Sequence, residues 1–379
     1  MSSAEQADFI VIGAGIAGAS VAAELAGARQ MRVVLLEMES APGYHTTGRS
    51  AAIFAPTYGP PPVRALTRAS AGFFRDPPQG FASHPLLSRR DILMLARADQ
   101  ANSLAALIDE VSPHAEVAHL EGDALLDVQP LLRGGYAVSG MLDRGGYDID
   151  VDALLQGFLR RFRAVGGRLV RDAEVTRLAR IGDVWRVHGG SCVFEAPVVI
   201  NAAGAWAGEI GQLAGAGDIG LVPRRRTAVI VDAPEGVVID GLPLSVDVDE
   251  EFYLKPESGR LLISPADETP SPPCDAQPDE IDIAICVDRI ERAFDLSIRR
   301  VRNKWAGLRS FVADKAPVVG FSTRADGFFW LAGQGGYGIQ TAPALARIAA
   351  ALAQDNSVPA DIVDQGLDPA SLGPARLGC

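Results

Sequence analysis

At 379 residues the chain is long enough for two domains, or for one large domain with an insertion, and it can bury a full core. Its 35 basic and 47 acidic residues give a formal charge of −12, and no block of Lys and Arg offsets it, so nucleic acid is not an expected partner. Cys192, Cys274, Cys286 and Cys379 are scattered, with no Cys-x-x-Cys and no nearby His pair. They suggest neither a metal site nor a disulfide framework, and a reducing, cytoplasmic setting is the default expectation. The first residues lack the basic start of a secretory signal, and no apolar run reaches the length of a membrane span.

Phe9 to Ile12 reads as a short strand buried on both faces of a parallel sheet. Gly13, Gly15 and Gly18 follow at the dinucleotide spacing. The first permits a tight turn, the second lets a pyrophosphate approach the backbone, and the third lets the next helix pack closely on the strand. That helix points its free N–H groups and positive dipole end at the phosphates. A second strand from Met31 ends at Glu37, 24 residues after Gly13, where a carboxylate can accept hydrogen bonds from an unphosphorylated ribose diol. Glycines also mark ordinary turns, but the strand before, the helix after and the acid at the right distance favour a dinucleotide site. The motif alone does not separate FAD from NAD.

Met38 to Pro62 is a long connection rich in Gly, Pro, Ser and Thr, well placed to touch a cofactor or substrate. Thr47, Gly48, Arg49 and Ser50 offer donors for anionic groups there, with simple turn chemistry as the plain alternative. Helices are expected at Val63–Phe74, Gln100–Val111, Glu121–Leu132 and from Asp152 to Val165, and a strand at Asp91–Ala96. Leu169–Val170, Val175–Leu178 and Val184–Val187 read as strands. The buried strand Pro197–Asn201 runs into Ala202, Ala203 and Gly204, small residues where a backbone passes close to a ligand or to a packing neighbour. From Leu221 to Leu308 the chain is strand-rich, with one helix around Asp279–Phe294. Strands at Pro317–Gly320 and Phe328–Ala332 then lead into Gly333-Gln-Gly-Gly-Tyr-Gly338 and a helix from Ile339 to Ala353. This second glycine loop suits the far end of a long cofactor, where a helix dipole would stabilise negative charge on a reduced isoalloxazine.

Five motifs in order carry a family resemblance: the first glycine turn, Thr47-Gly-Arg-Ser-Ala-Ala52, Asn201-Ala-Ala-Gly-Ala-Trp206, Trp305-Ala-Gly-Leu-Arg309 and the terminal glycine loop. Together they resemble the FAD-dependent D-amino-acid oxidase and glycine oxidase family over nearly the whole chain, with the nearest likeness to bacterial D-arginine dehydrogenases. The resemblance implies an α/β fold: a Rossmann-like FAD-binding domain from 1–85, 141–222 and 311–379, and a discontinuous substrate domain from 86–140 and 223–310 on a mostly antiparallel sheet. It implies non-covalent FAD, since the terminal loop holds no cysteine for attachment, and contacts to it from Gly13, Gly15, Ile16, Ala17, Gly18, Glu37, Met38, Thr47, Gly48, Arg49, Ser50, Ala52, Val175, Ala203, Gly204, Trp206, Gly335, Gly336, Tyr337, Gly338, Ile339 and Gln340.

The same resemblance puts Arg226, Tyr253 and Arg309 on a substrate carboxylate, the Gly336 backbone beside the amine, and Tyr58 in a lid. Read without it, Arg226 ends an Arg224-Arg225-Arg226 run and suits a surface charge, Tyr253 suits the core, and Arg309 sits in an apolar setting where it needs a partner. Arginine matches a carboxylate with two parallel hydrogen bonds. The side-chain pocket departs from the arginine-specific pattern: Ile53 and Ile92 stand where that pattern has a histidine and a glutamate, and Leu244 and Val246 are apolar too. The expectation is therefore oxidative deamination of a neutral, apolar D-amino acid to a 2-oxo acid and ammonia, with electrons passing to oxygen or to a quinone. Oxidation of an N-methyl amino acid and a flavoprotein subunit without turnover are the alternatives. No metal is expected, and His45, His84, His114, His119 and His188 read as structural or exposed.

Overall fold

The computed structural model describes residues 4–27 and 31–378; Cys379 and the first three residues of the N-terminal reading lie outside them. Six strands form one sheet in the order Arg168–Val170, Val33–Leu36, Phe9–Ile12, Val198–Asn201, Phe328–Ala332, Val318–Phe321. All its pairs are parallel except the last. Phe9–Ile12 and Val33–Leu36 are buried at every position, as a sheet covered on both faces demands. Side chains alternate between those faces. Phe9, Val11, Val33 and Leu35 pack with helices Ile16–Gly27, Val151–Ala164 and Gly338–Leu352, while Ile10, Ile12, Val34 and Leu36 pack with Trp185, Val187 and Phe194 of an antiparallel layer.

A second, eight-stranded sheet runs Val301–Phe311, Val222–Val231, Arg260–Ser264, Tyr253–Glu257, Leu244–Asp247, Ile92–Ala96, Ser139–Asp143, Val117–Glu121. It is antiparallel apart from the pairing of Leu244–Asp247 with Ile92–Ala96. Leu93, Leu95, Leu254 and Ile263 on one face pack against Ile283, Cys286 and Ile290 of helix Glu280–Ala293. Ile92, Met94, Leu244, Val246 and Tyr253 share the other face. The mixed α/β architecture with a largely antiparallel second sheet is the expected fold class.

One expected element is much shorter than its pattern. The helix anticipated over Glu121–Leu132 is confined to Asp123–Val128. Glu121 instead ends the edge strand Val117–Glu121, Gly122 breaks the chain direction at φ +56°, and Pro130 stands where a longer helix would need a backbone N–H. Strands Ser139–Asp143 and Leu244–Asp247 also escaped the pattern reading. Each is buried throughout, so neither shows the apolar/polar alternation that marks a half-exposed strand.

Candidate active site

The first glycine turn is shaped by contacts that leave no room for a side chain at its first and third glycines. Gly13 has φ +98°, and a Cβ there would lie 2.5 Å from the Ala202 carbonyl oxygen. A Cβ on Gly18 would lie 1.8 Å from the Gly13 carbonyl oxygen, so Gly18 seats the helix on the turn and does not itself line a cavity. Gly15 faces open space bounded by the Thr47 hydroxyl, which accepts the Ile16 N–H at 3.0 Å and caps the helix start. Glu37 is 7% exposed; its carboxylate accepts the Ala14 N–H at 2.8 Å and the Glu39 N–H at 3.0 Å. Burial pushes its pKa up against those two hydrogen bonds.

A cavity of about 890 Å³ begins here, lined by Gly13, Gly15, Glu37, Met38, Thr47, Val175, Ala203, Gly204 and Trp206 among the anticipated residues. A second, of about 910 Å³, shares Gly15, Thr46, Thr47, Ala202 and Gly204 with the first, so the two form one continuous groove. It adds Ile16, Ala17, Arg49, Ser50, Gly335, Gly336, Gly338 and Ile339. Gly48 and Tyr337 line none of these spaces. A Cβ on Gly48 would meet the Gly43 carbonyl oxygen at 2.7 Å, and Tyr337 packs with Val63, Phe311 and Tyr58. The starts of helices Ile16–Gly27 and Gly338–Leu352 both open on the groove, and beside it the buried Ser310 Oγ and Gln334 Nε2 have no partner among the described residues. A backbone cradle, two helix dipoles and unpartnered polar atoms fit a long dinucleotide.

Arg49 crosses from this loop to the second sheet. Its guanidinium donates to the Ala276 and Ala306 carbonyls, both at 3.0 Å, and pairs with Asp275 at 2.5 Å, while the Trp305 indole N–H donates to the Arg49 carbonyl at 3.0 Å.

A third cavity of about 680 Å³ opens from the groove at Ser50, Tyr253, Arg309, Gly336 and Ile339. Its walls include Ala52, Ile53, Tyr58, Ile92, Leu244, Val246 and Gln340. Register explains the grouping: Leu244 pairs with Ile92 and Val246 with Tyr253, and paired residues face the same way. Arg226 lies opposite Gly307, two positions from Arg309 on the neighbouring strand, so both guanidiniums stand on one face.

Those two arginines differ. Arg309 has no carboxylate within ion-pair distance among the described residues, and the Gly336 backbone lies so close that a Cβ there would be 2.9 Å from its guanidinium carbon. Burial works against its charge, but the surrounding Tyr58, Tyr253 and Glu250 groups outweigh burial and hold its pKa up. Arg226, 6% exposed, already pairs with Glu268 at 3.2 Å and lies 3.9 Å from Glu250, and its Nε has no partner among the described residues. Tyr58 stacks edge-on to Tyr337 at 5.2 Å, and burial pushes its hydroxyl up to about 12, so it remains a hydrogen-bond donor at neutral pH.

Sequence reasoning missed Lys255. It is 4% exposed on the cavity wall and donates to the Ala51 carbonyl at 3.0 Å and to Asp148 at 2.8 Å, with Glu257 at 3.0 Å. Its place two residues after Tyr253 on one strand was the available signal. His45 is also no bystander: it lines the nucleotide end, pairs with Glu39 at 2.8 Å and packs on Trp206 at 4.6 Å.

Residues 8–352 match the family model for DAO, the FAD dependent oxidoreductases. The chain is 25% identical over 404 residues to FAD-dependent oxidoreductase domain-containing protein 1 of Bos taurus, covering 91% of this chain and 81% of that protein. Glycine oxidase from Geobacillus kaustophilus superposes with a TM-score of 0.82 at 22% identity, covering 93% of this chain and 96% of that one. L-alpha-glycerophosphate oxidase from Mycoplasma pneumoniae, with FAD bound, superposes with a TM-score of 0.83 at 18% identity over 92% and 95%. The chain therefore belongs to the DAO family of FAD-dependent oxidoreductases, and its cofactor is FAD.

Proposed function

We propose that the protein oxidises a D-amino acid with a neutral, apolar side chain to its 2-oxo acid and ammonia. The observation that carries this reading is Arg309: a guanidinium without a carboxylate partner among the described residues, beside the Gly336 backbone, opening onto a cavity walled by Ile53, Ile92, Leu244 and Val246. On this reading Arg309 anchors the substrate carboxylate, Tyr58 and Tyr253 donate hydroxyl hydrogen bonds to it, Arg226 closes the far side, and the Gly336 carbonyl orients the amine. FAD, when bound, supplies the hydride acceptor for the Cα–H bond. Residues 1–85, 141–222 and 311–379 would serve the flavin, and 86–140 and 223–310 the substrate.

The apolar preference rests on desolvation. A substrate guanidinium would lose water against the isoleucines and meet the Lys255 cation at the same wall, whereas an apolar side chain gains about 25 cal/mol per Å² buried. Asp148 offers such a substrate little, since it is already held by Lys255 and by Arg90 at 2.9 Å. The D configuration and the likeness to D-arginine dehydrogenases rest on the five sequence motifs. The fold alone does not choose a substrate, because glycine and glycerophosphate oxidases share it.

The test is anaerobic mixing of the flavinated protein with panels of D-, L- and N-methyl amino acids. Bleaching by apolar D-amino acids is the expected result; bleaching only by another panel, or by D-arginine above D-leucine, overturns the reading. Readmitting air then separates an oxidase, which reoxidises, from a dehydrogenase that passes electrons to a quinone.

A further inference from the structure

The second arginine of the site carries its own carboxylates. Arg226 is paired with Glu268 at 3.2 Å, and Glu250 reaches to 3.9 Å of the same guanidinium nitrogen. The two acids come from separate loops, so this is not one local acidic run: Glu250 lies in the turn between strands Leu244–Asp247 and Tyr253–Glu257, and Glu268 follows strand Arg260–Ser264. Lys315 is 3.5 Å from Glu268.

The position of Glu250 is enforced by its surroundings. It adopts φ +58°, a conformation that residues other than Gly, Asn and Asp seldom take, and such strain persists only where neighbours over-determine it. Here they do. The Glu250 N–H donates to the Asp247 carbonyl at 2.8 Å, and the Asp247 carboxylate accepts the N–H groups of Asp249 at 3.0 Å and Glu251 at 3.4 Å. Arg97 pairs with both Asp247 and Glu251 at 3.1 Å, and Arg289 donates to the Glu251 carbonyl. The hairpin tip is thus pinned on both sides of Glu250, with that carboxylate directed at Arg226. Its charge also bears on Tyr58, Tyr337 and Arg309, the groups around the anchor.

The geometry points to Glu250 and Glu268 as a specificity-determining pair that occupies Arg226 and restricts the site to substrates with a single carboxylate. This inference rests on the reading of Arg309 as a carboxylate anchor. One carboxylate finds Arg309 with no acid within ion-pair distance among the described residues, Glu250 acting on it only from further off. A second, on the side chain or on the nitrogen of a dicarboxylate, would find Arg226 already neutralised and two fixed negative charges close by. Selectivity then arises from repulsion as well as from fit.

The experiment uses the flavinated protein and two non-reacting probes, propionate and succinate, titrated by calorimetry into the native form, Glu250→Gln and Glu250→Gln/Glu268→Gln. Native protein should bind propionate at least tenfold more tightly than succinate. Glu250→Gln should raise the relative affinity for succinate about fivefold and the double variant tenfold or more, because each removes a charge that opposes the second carboxylate. In parallel, kcat/KM for D-glutamate relative to D-leucine should rise in the same order. A native preference for succinate, or a succinate-to-propionate ratio unmoved in the flavinated variants, overturns the inference. Should loss of Glu268 prevent folding, Glu250→Gln alone decides, since its side chain sits at the hairpin tip and leaves Arg226 with Glu268. A shifted ratio with no flavin reduction by any D-amino acid would sink the proposed activity and leave the charge pair standing; an unmoved ratio with active enzyme would do the reverse.

Discussion

The two ends of the groove are built from different materials. At the nucleotide end, Gly13, Gly15, Gly18 and Glu37 lie within 25 residues of one another, and the surface offered to the ligand is largely backbone. At the other end, where the proposed reading puts the substrate, Tyr58, Ile92, Arg226, Leu244, Tyr253, Arg309 and Gly336 come from strands and loops spread over most of the chain, and the surface is largely side chain. At Gly13 and Gly18 the backbone-built site tolerates no added Cβ, because the clash is with backbone atoms that cannot move aside. A side-chain-built site tolerates substitution in the fold and registers it in chemistry.

The sharpest way to break that contrast is to add carbon to the turn. Gly18→Val should yield apoprotein or insoluble chain, because even the first added atom meets the Gly13 carbonyl oxygen at 1.8 Å and the helix must lift from the strand. Gly15→Val should keep more of the fold, since its nearest neighbour is the Thr47 hydroxyl at 3.1 Å, and yet lose FAD. Flavin absorbance per mole of purified protein reads both, and a fully flavinated Gly15→Val protein would remove the pyrophosphate from that position.

Arg309→Met probes the other end. It should retain the flavin spectrum and lose about 2–5 kcal/mol of transition-state stabilisation, tens- to thousands-fold in kcat/KM. An unchanged value would make Arg309 a structural residue.

A smaller effect is expected within the cavity wall. Ile92→Glu introduces a carboxylate opposite Leu244, in the space a substrate side chain would fill, and should shift the ranking toward D-arginine by roughly tenfold without changing flavin content. Identical rankings for D-arginine, D-leucine and D-methionine before and after would show that Ile92 does not face the side chain.

The smallest effect concerns Glu37 and is read in the apoprotein. Burial raises its folded-state pKa above the unfolded value, so its contribution to stability is fully present below the unfolded value and is lost as pH rises through the folded one. Glu37→Gln removes that loss. The variant apoprotein should gain in melting temperature relative to native on going from about pH 5 to about pH 8, while its flavin affinity falls. A difference in melting temperature that does not vary with pH would mean that Glu37 is not strained by burial.

What the linear sequence determined follows from the same contrast. The nucleotide end was legible because its physics is local: a buried strand, a turn whose φ values require glycine, a helix start and an acid one strand later all leave marks at fixed spacing. Even there, Gly48 and Tyr337 belong to the motifs without lining the groove, since a motif records what a loop needs to fold as well as what it holds.

Tertiary structure decided the rest. Only the pairing of strands far apart in sequence sets Lys255 on the cavity wall, aligns Leu244 with Ile92, and brings Glu250 and Glu268 to Arg226. The sequence shows an Arg224-Arg225-Arg226 run that suits a solvated surface; the folded chain buries the third of these arginines, leaves the other two half-buried, and supplies its counter-ions from two loops. Charges buried in low dielectric are governed by which groups stand within a few ångströms, and that distance is fixed by register and turn geometry that no local pattern encodes.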